Sequence, residues 1–254
     1  MQKGFYDLTS GMLTQNRILN NISNNLGNIS TPGYKRDLLM TKTFDDRMQL
    51  RTGNRNKNVK EELHEAAMMR TVDEVYTVHE QGAFEDTGRS LDFAISGDAF
   101  FAVEGFDGKT YYSRNGSFTL DGDGAVMLQN VGYVLGKDNR HIIVKTDKLT
   151  ADSKGNLFNG NNELLGSIGM VSFEDSDRLK KYGQGTFINE DAGNIVQDSN
   201  SYIKQGFLEA SNVDLTDAFA DMISSQRAFQ SASQVLKMYD ELMNQTVTAI
   251  SRIG

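Results

Sequence analysis

SNNLGNISTPGYKR, residues 23–36, joins an asparagine-rich helix end to the one proline of the chain. Asparagine is a poor helix former because its side chain competes for backbone hydrogen bonds. Proline cannot continue a helix, and Pro-Gly suits the centre of a type II turn. The stretch therefore predicts that an N-terminal helix ends near residue 31 and that Pro32, Gly33 and Tyr34 turn the chain.

Apolar side chains upstream of this turn repeat with a heptad period and form an a/d seam, with Gln15 as the one polar interruption. Asparagines lie between the seam positions. Because each offers a donor and an acceptor, we interpret them as hydrogen-bonding groups of an interface, with a weak, frayed helix end as the alternative. The predicted packing residues are Phe5, Leu8, Met12, Leu19, Ile22, Asn24, Asn25, Leu26, Asn28 and Ile29.

A second seam occupies the C-terminal end of the chain. Its start is indicated by Ser211-Asn212-Val213-Asp214, in which Asp214 suits a helix N-cap. A helix of roughly 40 residues would reach about 60 Å, more than the diameter of a small domain. Its predicted packing residues recur every seven positions and are Leu215, Met222, Phe229, Leu236, Met243 and Ile250.

Between the two seams, short strand-like runs alternate with Gly, Asp and Asn turns, which is typical of antiparallel β structure. Both seams are narrow, as in coiled coils. We therefore expect an α+β fold in which long terminal helices pair as a coiled-coil-like stalk that carries a central antiparallel all-β domain. The alternative is that both helices pack on the β domain. The expected divisions are residues 1–35 with 208–254 (helical), 36–70 (a charged connecting segment) and 71–207 (β domain).

The bulk composition limits the possible functions. The net charge is -8, which argues against a basic nucleic-acid-binding surface. No apolar run approaches the roughly 20 residues that span a bilayer, and the N-terminus lacks the apolar region of a secretory signal. The absence of cysteine discriminates little.

Motifs for catalysis or metal binding are not found in the sequence. The histidines at 64, 79 and 141 lack metal-ligand spacing, and Asp121-Gly122-Asp123-Gly124 is interpreted as a hairpin turn because an EF-hand loop would need a later glutamate. We therefore predict no catalytic, cofactor-binding or metal-binding residues and no enzyme activity. An enzyme such as a glycan hydrolase is the alternative, without a positive signal.

Three stretches resemble bacterial flagellar rod and hook proteins. The first is SNNLGNISTPGYKR. The second is the C-terminal QGFLEASNVDLTDAFADMISSQRAFQ, where Gln205-Gly206, Glu209 and Ser211-Asn212-Val213 fall on recurring positions of the family. The third is LDFAISGDAFFAVEGFDGKTYYSRNGSFTLDGDG, residues 91–124, which is similar to the family's central β domain.

This resemblance implies a structural subunit of the flagellar rod, the axial drive shaft of the basal body, of the FlgF/FlgG type. Such a subunit would assemble helically through its terminal helices, which form the axial core. Its partners would be other copies of itself, other axial rod and hook proteins, and the flagellar type III export apparatus, with no nucleic acid and no membrane insertion. The alternatives are a hook-type protein and an unrelated coiled-coil-stalked fibre or binding protein.

Overall fold

A computed structural model describes residues 2–43, 47–51, 61–66, 70–144, 146, 148–183, 185–191, 193, 195–196 and 200–251. Within these ranges the chain begins and ends with a helix. Helix α1 spans Gln2–Gly27 and α2 spans Leu215–Ser251. A short 3-10 helix at Ser176–Arg178 lies within the β region. No helix in the described part of the chain is long and apolar enough to cross a bilayer.

Short strands fill the sequence between the two helices. In chain order they are β1 Asp37–Thr43, β2 Arg47–Arg51, β3 Glu61–Ala66, β4 Arg70–Thr77, β5 Phe84–Asp86, β6 Phe93–Ser96, β7 Phe100–Gly105, β8 Thr110–Ser113, β9 Phe118–Leu120, β10 Val126–Leu128, β11 Gly132–Val134, β12 Leu149–Ala151, β13 Asn156–Asn159, β14 Leu164–Ser167, β15 Met170–Phe173, β16 Lys180–Gly183, β17 Thr186–Ile188, β18 Ile195–Val196, β19 Tyr202–Gln205 and β20 Phe207–Glu209.

The largest sheet has nine strands, and its pairings are antiparallel. Its main order is β16-β17-β8-β7-β11-β10-β9, and β15 pairs with both β7 and β18. A second sheet has the order β12-β13-β14. The remaining strands form the pairs β1-β4, β2-β3, β6-β19 and β5-β20. The chain between the helices therefore combines hairpins of consecutive strands with pairings of distant strands, such as β6 with β19 and β5 with β20.

Strand β7 is buried on both faces, which explains its continuous apolar sequence. Phe101 and Val103 point into the larger core, where Phe101 meets Phe118 edge to face with ring centroids 5.0 Å apart. Phe100 belongs to a second core and contacts the ring of Phe173 at 5.6 Å. Each fully buried side chain of this size stabilises the fold by about 1.5–3 kcal/mol.

The described chain divides into two compact units. One contains residues 1–24, 37–76 and 215–254, and the other contains residues 25–36 and 77–214. We call the second the β unit. Both apolar cores lie in the β unit.

The predicted fold class, α+β with the helices paired as a coiled-coil-like stalk, is wrong. Both helices exist, but over residues 215–248 no side chain of α2 is buried. Leu215 and Met243 are 47% and 38% exposed, whereas a coiled coil buries its a and d side chains. The structure instead has two terminal helices and a large, multi-stranded antiparallel β region that begins at Asp37. A heptad period fixes an apolar stripe on a helix but does not determine what covers it.

Candidate functional site

The end of α1 is a tight turn stabilised by its own asparagines. The carbonyl of Thr31 accepts a hydrogen bond from the N–H of Tyr34 at 3.2 Å, and Gly33 has a φ of 67°, as a type II turn requires. Asn28 Oδ1 accepts from the Thr31 hydroxyl at 3.2 Å, and Asn25 Oδ1 accepts from the Tyr34 hydroxyl at 3.1 Å. Two asparagines of the opening stretch therefore organise the end of their own helix.

Gly33 lies where no other residue fits. A Cβ there would come within 2.3 Å of the carbonyl carbon of Arg114. The N–H of Gly33 donates to the carbonyl of Glu209 at 2.7 Å, which joins the start of the β unit to the strand that returns toward α2. The glycine is therefore required both for its positive φ and for the close approach of two backbones.

A buried charge cluster lies beside this turn. Glu209 Oε1 accepts from Lys35 Nζ at 2.5 Å and from the N–H of Gly82 at 3.0 Å, and Glu209 Oε2 accepts from Arg114 at 3.4 Å. Lys35, Arg114 and Glu209 have side chains that are at most 2% exposed. Lys35 Nζ also donates to the carbonyl of Glu80 at 2.6 Å. One carboxylate thus pairs with two cations removed from water.

Burial is the largest cause of the pKa shifts of Lys35 and His79. Desolvation lowers the pKa of Lys35, and the attraction of Glu209 opposes that effect. His79 packs against the rings of Phe100 and Phe187, at 5.8 and 5.2 Å. Desolvation first, and the positive charge of Lys35 second, lower the pKa of His79 to about 4. The imidazole is therefore neutral at neutral pH.

Asn212 connects three segments of the β unit. Its Oδ1 accepts from the N–H of Arg36 at 2.7 Å, and its Nδ2 donates to the carbonyls of Val78 at 2.8 Å and Glu80 at 3.2 Å. Gln205 plays a similar part at the end of β19, since its Nε2 donates to the carbonyls of Ser90 and Leu149. Together with the turn and the charge cluster, these contacts form what we call the helix junction: residues 31–36, 78–82, 114 and 205–212.

Sequence analysis placed Lys35, Arg114 and the segment 205–212 in stretches that resemble the family but did not assign them these roles, and it did not single out residues 78–82. The sequence places Asn212 in a helix-start signal, and in the structure its amide binds the backbone of Arg36 before α2 begins at Leu215. Glu209 carries no local signal of burial, because its partners Lys35 and Arg114 are 174 and 95 residues away in sequence. Only a three-dimensional structure brings them together.

The predicted packing residues of α1 are mostly half-buried. Phe5 and Asn24 are exposed, Asn25 is buried, and the others are half-buried, namely Leu8, Met12, Leu19, Ile22, Leu26, Asn28 and Ile29. The rings of Phe5 and Tyr239 of α2 lie 6.4 Å apart. Asn21, outside the predicted set, donates to the carbonyl of Asp37 at 3.0 Å.

The predicted packing residues of α2 differ in how exposed their side chains are. Met222, Phe229 and Leu236 are half-buried, Leu215 and Met243 are exposed, and the side chain of Ile250 lies outside the described part. Sequence reasoning missed a further exposed apolar set on the flanks of this seam: Phe219, Ile223, Val235, Met238, Leu242 and Val247. Its signal was present in the sequence, since Leu215, Phe219 and Ile223 repeat at four-residue spacing.

Comparison with known proteins decides the family. A family model described as "Flagellar hook protein FlgE/F/G D1 domain" matches residues 94–163, and one described as "Flagellar basal body rod FlgEFG protein C-terminal" matches residues 204–249. The chain is 33% identical over 270 residues to the flagellar basal-body rod protein FlgG of Bacillus subtilis, covering 97% of this chain and 98% of that protein. The chain belongs to the flagellar basal-body rod protein family.

Other members of the rod protein family match over similar lengths. FlgG of Agrobacterium fabrum is 33% identical over 92% of this chain, and FlgF of Mesorhizobium japonicum is 28% identical over 93%. This rod protein is a structural subunit of the flagellar rod, lies in the flagellar basal body and associates with other basal-body components. The hook-protein and fibre alternatives are not favoured.

The C-terminal family match contains residues 205–212 of the helix junction and most of α2 in this rod protein. Gln205, Glu209 and Asn212 all fall within residues 204–249. No group of three or more potential metal-ligating side chains is found among the residues described.

Proposed function

We propose that this rod protein assembles helically with copies of itself through α1 and α2. The observation that carries the proposal is the surface of α2. Phe219, Ile223 and Leu242 are 46%, 50% and 61% exposed, and they lie outside the half-buried seam. A helix with apolar side chains on several faces is stable when more than one neighbour covers it. A helical assembly supplies such neighbours by repetition.

Repetition makes the energy of such an interface sufficient to hold an assembly together. Burying a large apolar side chain contributes about 1.5–3 kcal/mol, so a side chain already half covered would gain roughly 1 kcal/mol. The six exposed apolar residues on the flanks of α2 would then contribute several kcal/mol in each copy. The gain is small for one contact and large for a structure built from many copies.

In this proposal the predicted packing residues of both seams, with Asn24 and Asn28 of α1, are subunit contacts. Residues 1–35 and 208–254 would form the axial core of the rod, residues 36–70 a connecting segment, and residues 71–207 an outer β domain. The partners would be further copies, other axial rod and hook proteins, and the flagellar type III export apparatus. The role is mechanical, and no catalytic step is assigned to the chain.

The proposal is tested with charges placed on the exposed apolar faces of α2. Ile223→Asp and Leu242→Asp should leave the unfolding of the β unit unchanged and prevent incorporation into basal bodies, because an unpaired carboxylate would be buried between copies. Ser224→Asp and Ser231→Asp, exposed polar positions of the same helix, are the matched controls. Incorporation is scored by electron microscopy of basal bodies from a strain that carries only the variant. Normal rods from both apolar variants would refute the proposal.

A further inference from the structure

The chain contains two Asn-Gly pairs, Asn115-Gly116 and Asn159-Gly160. An asparagine before glycine can lose its side-chain amide without an enzyme. The backbone nitrogen of the glycine attacks Cγ of the asparagine, gives up its proton, and displaces the side-chain nitrogen as ammonia to form a cyclic succinimide. Water then opens the ring to aspartate or to isoaspartate. The reaction needs backbone freedom at the glycine and a side chain free to turn toward the attacking nitrogen.

Asn159-Gly160 meets both requirements. The pair lies at the end of β13, in the tight turn that leads to β14. The N–H of Gly160 donates to Oδ1 of Asn159 at 2.7 Å, so the side-chain amide already folds over the nitrogen that must attack it. Gly160 is exposed, and no heavy atom lies within 4 Å of the position that a Cβ would occupy. The surrounding space therefore accommodates a five-membered ring.

Asn115-Gly116 is held in place. Oδ1 of Asn115 accepts from both the N–H and the hydroxyl of Ser117, at 3.0 and 2.7 Å, which holds the side-chain amide on Ser117. A Cβ on Gly116 would come within 1.8 Å of the carbonyl oxygen of Phe93. The carbonyl of Gly116 also accepts from the N–H groups of Phe93 and Phe118, at 3.0 and 2.9 Å. Ring closure here would require these contacts to break.

We propose that Asn159 is a site of spontaneous hydrolytic modification in the folded protein and that Asn115 is protected by its contacts. Each event at Asn159 replaces a neutral amide by a carboxylate, which adds one negative charge to a chain of net charge -8. The isoaspartate product also adds one carbon to the backbone at the turn. The hydrogen bond from the N–H of Asn162 to the carbonyl of Asn159, at 2.8 Å, spans the altered linkage and is lost in that product.

The test follows both asparagines in one sample of full-length protein. The protein is incubated in mildly alkaline buffer, and peptide mapping by mass spectrometry measures conversion of each asparagine with time. We expect Asn159 to convert roughly thirtyfold faster than Asn115, the factor that two ordinary hydrogen bonds correspond to. In denaturant the two rates should converge, since both asparagines then precede an unconstrained glycine.

Gly160→Ala provides the matched variant. It places a methyl group in open space at a residue without positive φ, so the fold is retained while the attack is slowed. Conversion of Asn159 should fall in this variant, and that of Asn115 should not change. Equal rates at the two asparagines in the folded protein, or no measurable conversion of Asn159 while both react in denaturant, would overturn the proposal.

Discussion

Glu209→Gln tests the charge cluster of the helix junction most directly. The substitution keeps the size of the side chain and an oxygen that can accept from the N–H of Gly82. It removes the negative charge that pairs with Lys35 and Arg114, whose side chains are 1% and 2% exposed. An unpaired buried charge costs about 3–5 kcal/mol. That loss is a large share of the roughly 5–15 kcal/mol by which a folded domain is stable.

Thermal and urea unfolding of the full-length protein, followed by a probe of the β-unit core such as tyrosine fluorescence, measures the effect. For a unit of this size each kcal/mol shifts Tm by about 2–4 °C, so we expect Tm to fall by roughly 6–20 °C. Glu190→Gln is the matched control. Glu190 makes an equally short ion pair with Lys180, at 2.6 Å, but both side chains are more than 60% exposed. Its loss should cost no more than about 1 kcal/mol.

Two results would refute this reasoning. If Glu209→Gln costs no more than the control, the carboxylate does not stabilise the buried cations. If Glu209→Gln combined with Lys35→Met is no more stable than Glu209→Gln alone, the ammonium of Lys35 is not the unpaired charge that causes the loss. The expected result is partial recovery, because the double variant leaves only Arg114 without its anion.

Other predictions concern single residues of the β unit and the surface of α2. The pKa of His79, about 4 in the fold against 6.5 unfolded, means that the unfolded chain takes up a proton first as pH falls. Stability should therefore decline by up to about 3 kcal/mol between pH 6.5 and 4, and less in His79→Gln, as measured by urea unfolding across that range. Gly33→Ala should cost at least about 2 kcal/mol in the same assay, because φ is positive and Arg114 leaves no space, whereas Gly122→Ala, in open space, should be nearly neutral. In dilute protein the amides of α2 should exchange hydrogen faster than those of β7, because α2 has no buried side chain over residues 215–248; equal protection would contradict this.

Local sequence signals predicted the turns of this protein well. Asp121-Gly122-Asp123-Gly124 forms the expected hairpin turn, in which the N–H of Gly124 donates to the carbonyl of Asp121 at 2.9 Å and joins β9 to β10. Residues 152–156 form a similar turn between β12 and β13. Turn formation depends on a few adjacent residues, whose conformational preferences can be assessed from sequence alone.

The predicted helix pairing failed because it depended on information that periodicity does not contain. Met222, Phe229 and Leu236 lie on one stripe of α2, as their spacing requires, and all three are half-buried. The same pattern is compatible with a partner helix, a sheet or a neighbouring subunit. Residues 37–43 and 47–51 form strands within the charged segment that the sequence indicated as a connection.

The helix junction buries charged side chains where apolar side chains could supply similar stability. The geometry of the buried charges accounts for this choice. Apolar surfaces tolerate small shifts in register, whereas a buried carboxylate between two cations does not. If β20 slipped by one residue, Leu208 or Ala210 would take the place of Glu209 and leave Lys35 and Arg114 buried without an anion. The cluster therefore fixes the residue at which the returning chain docks.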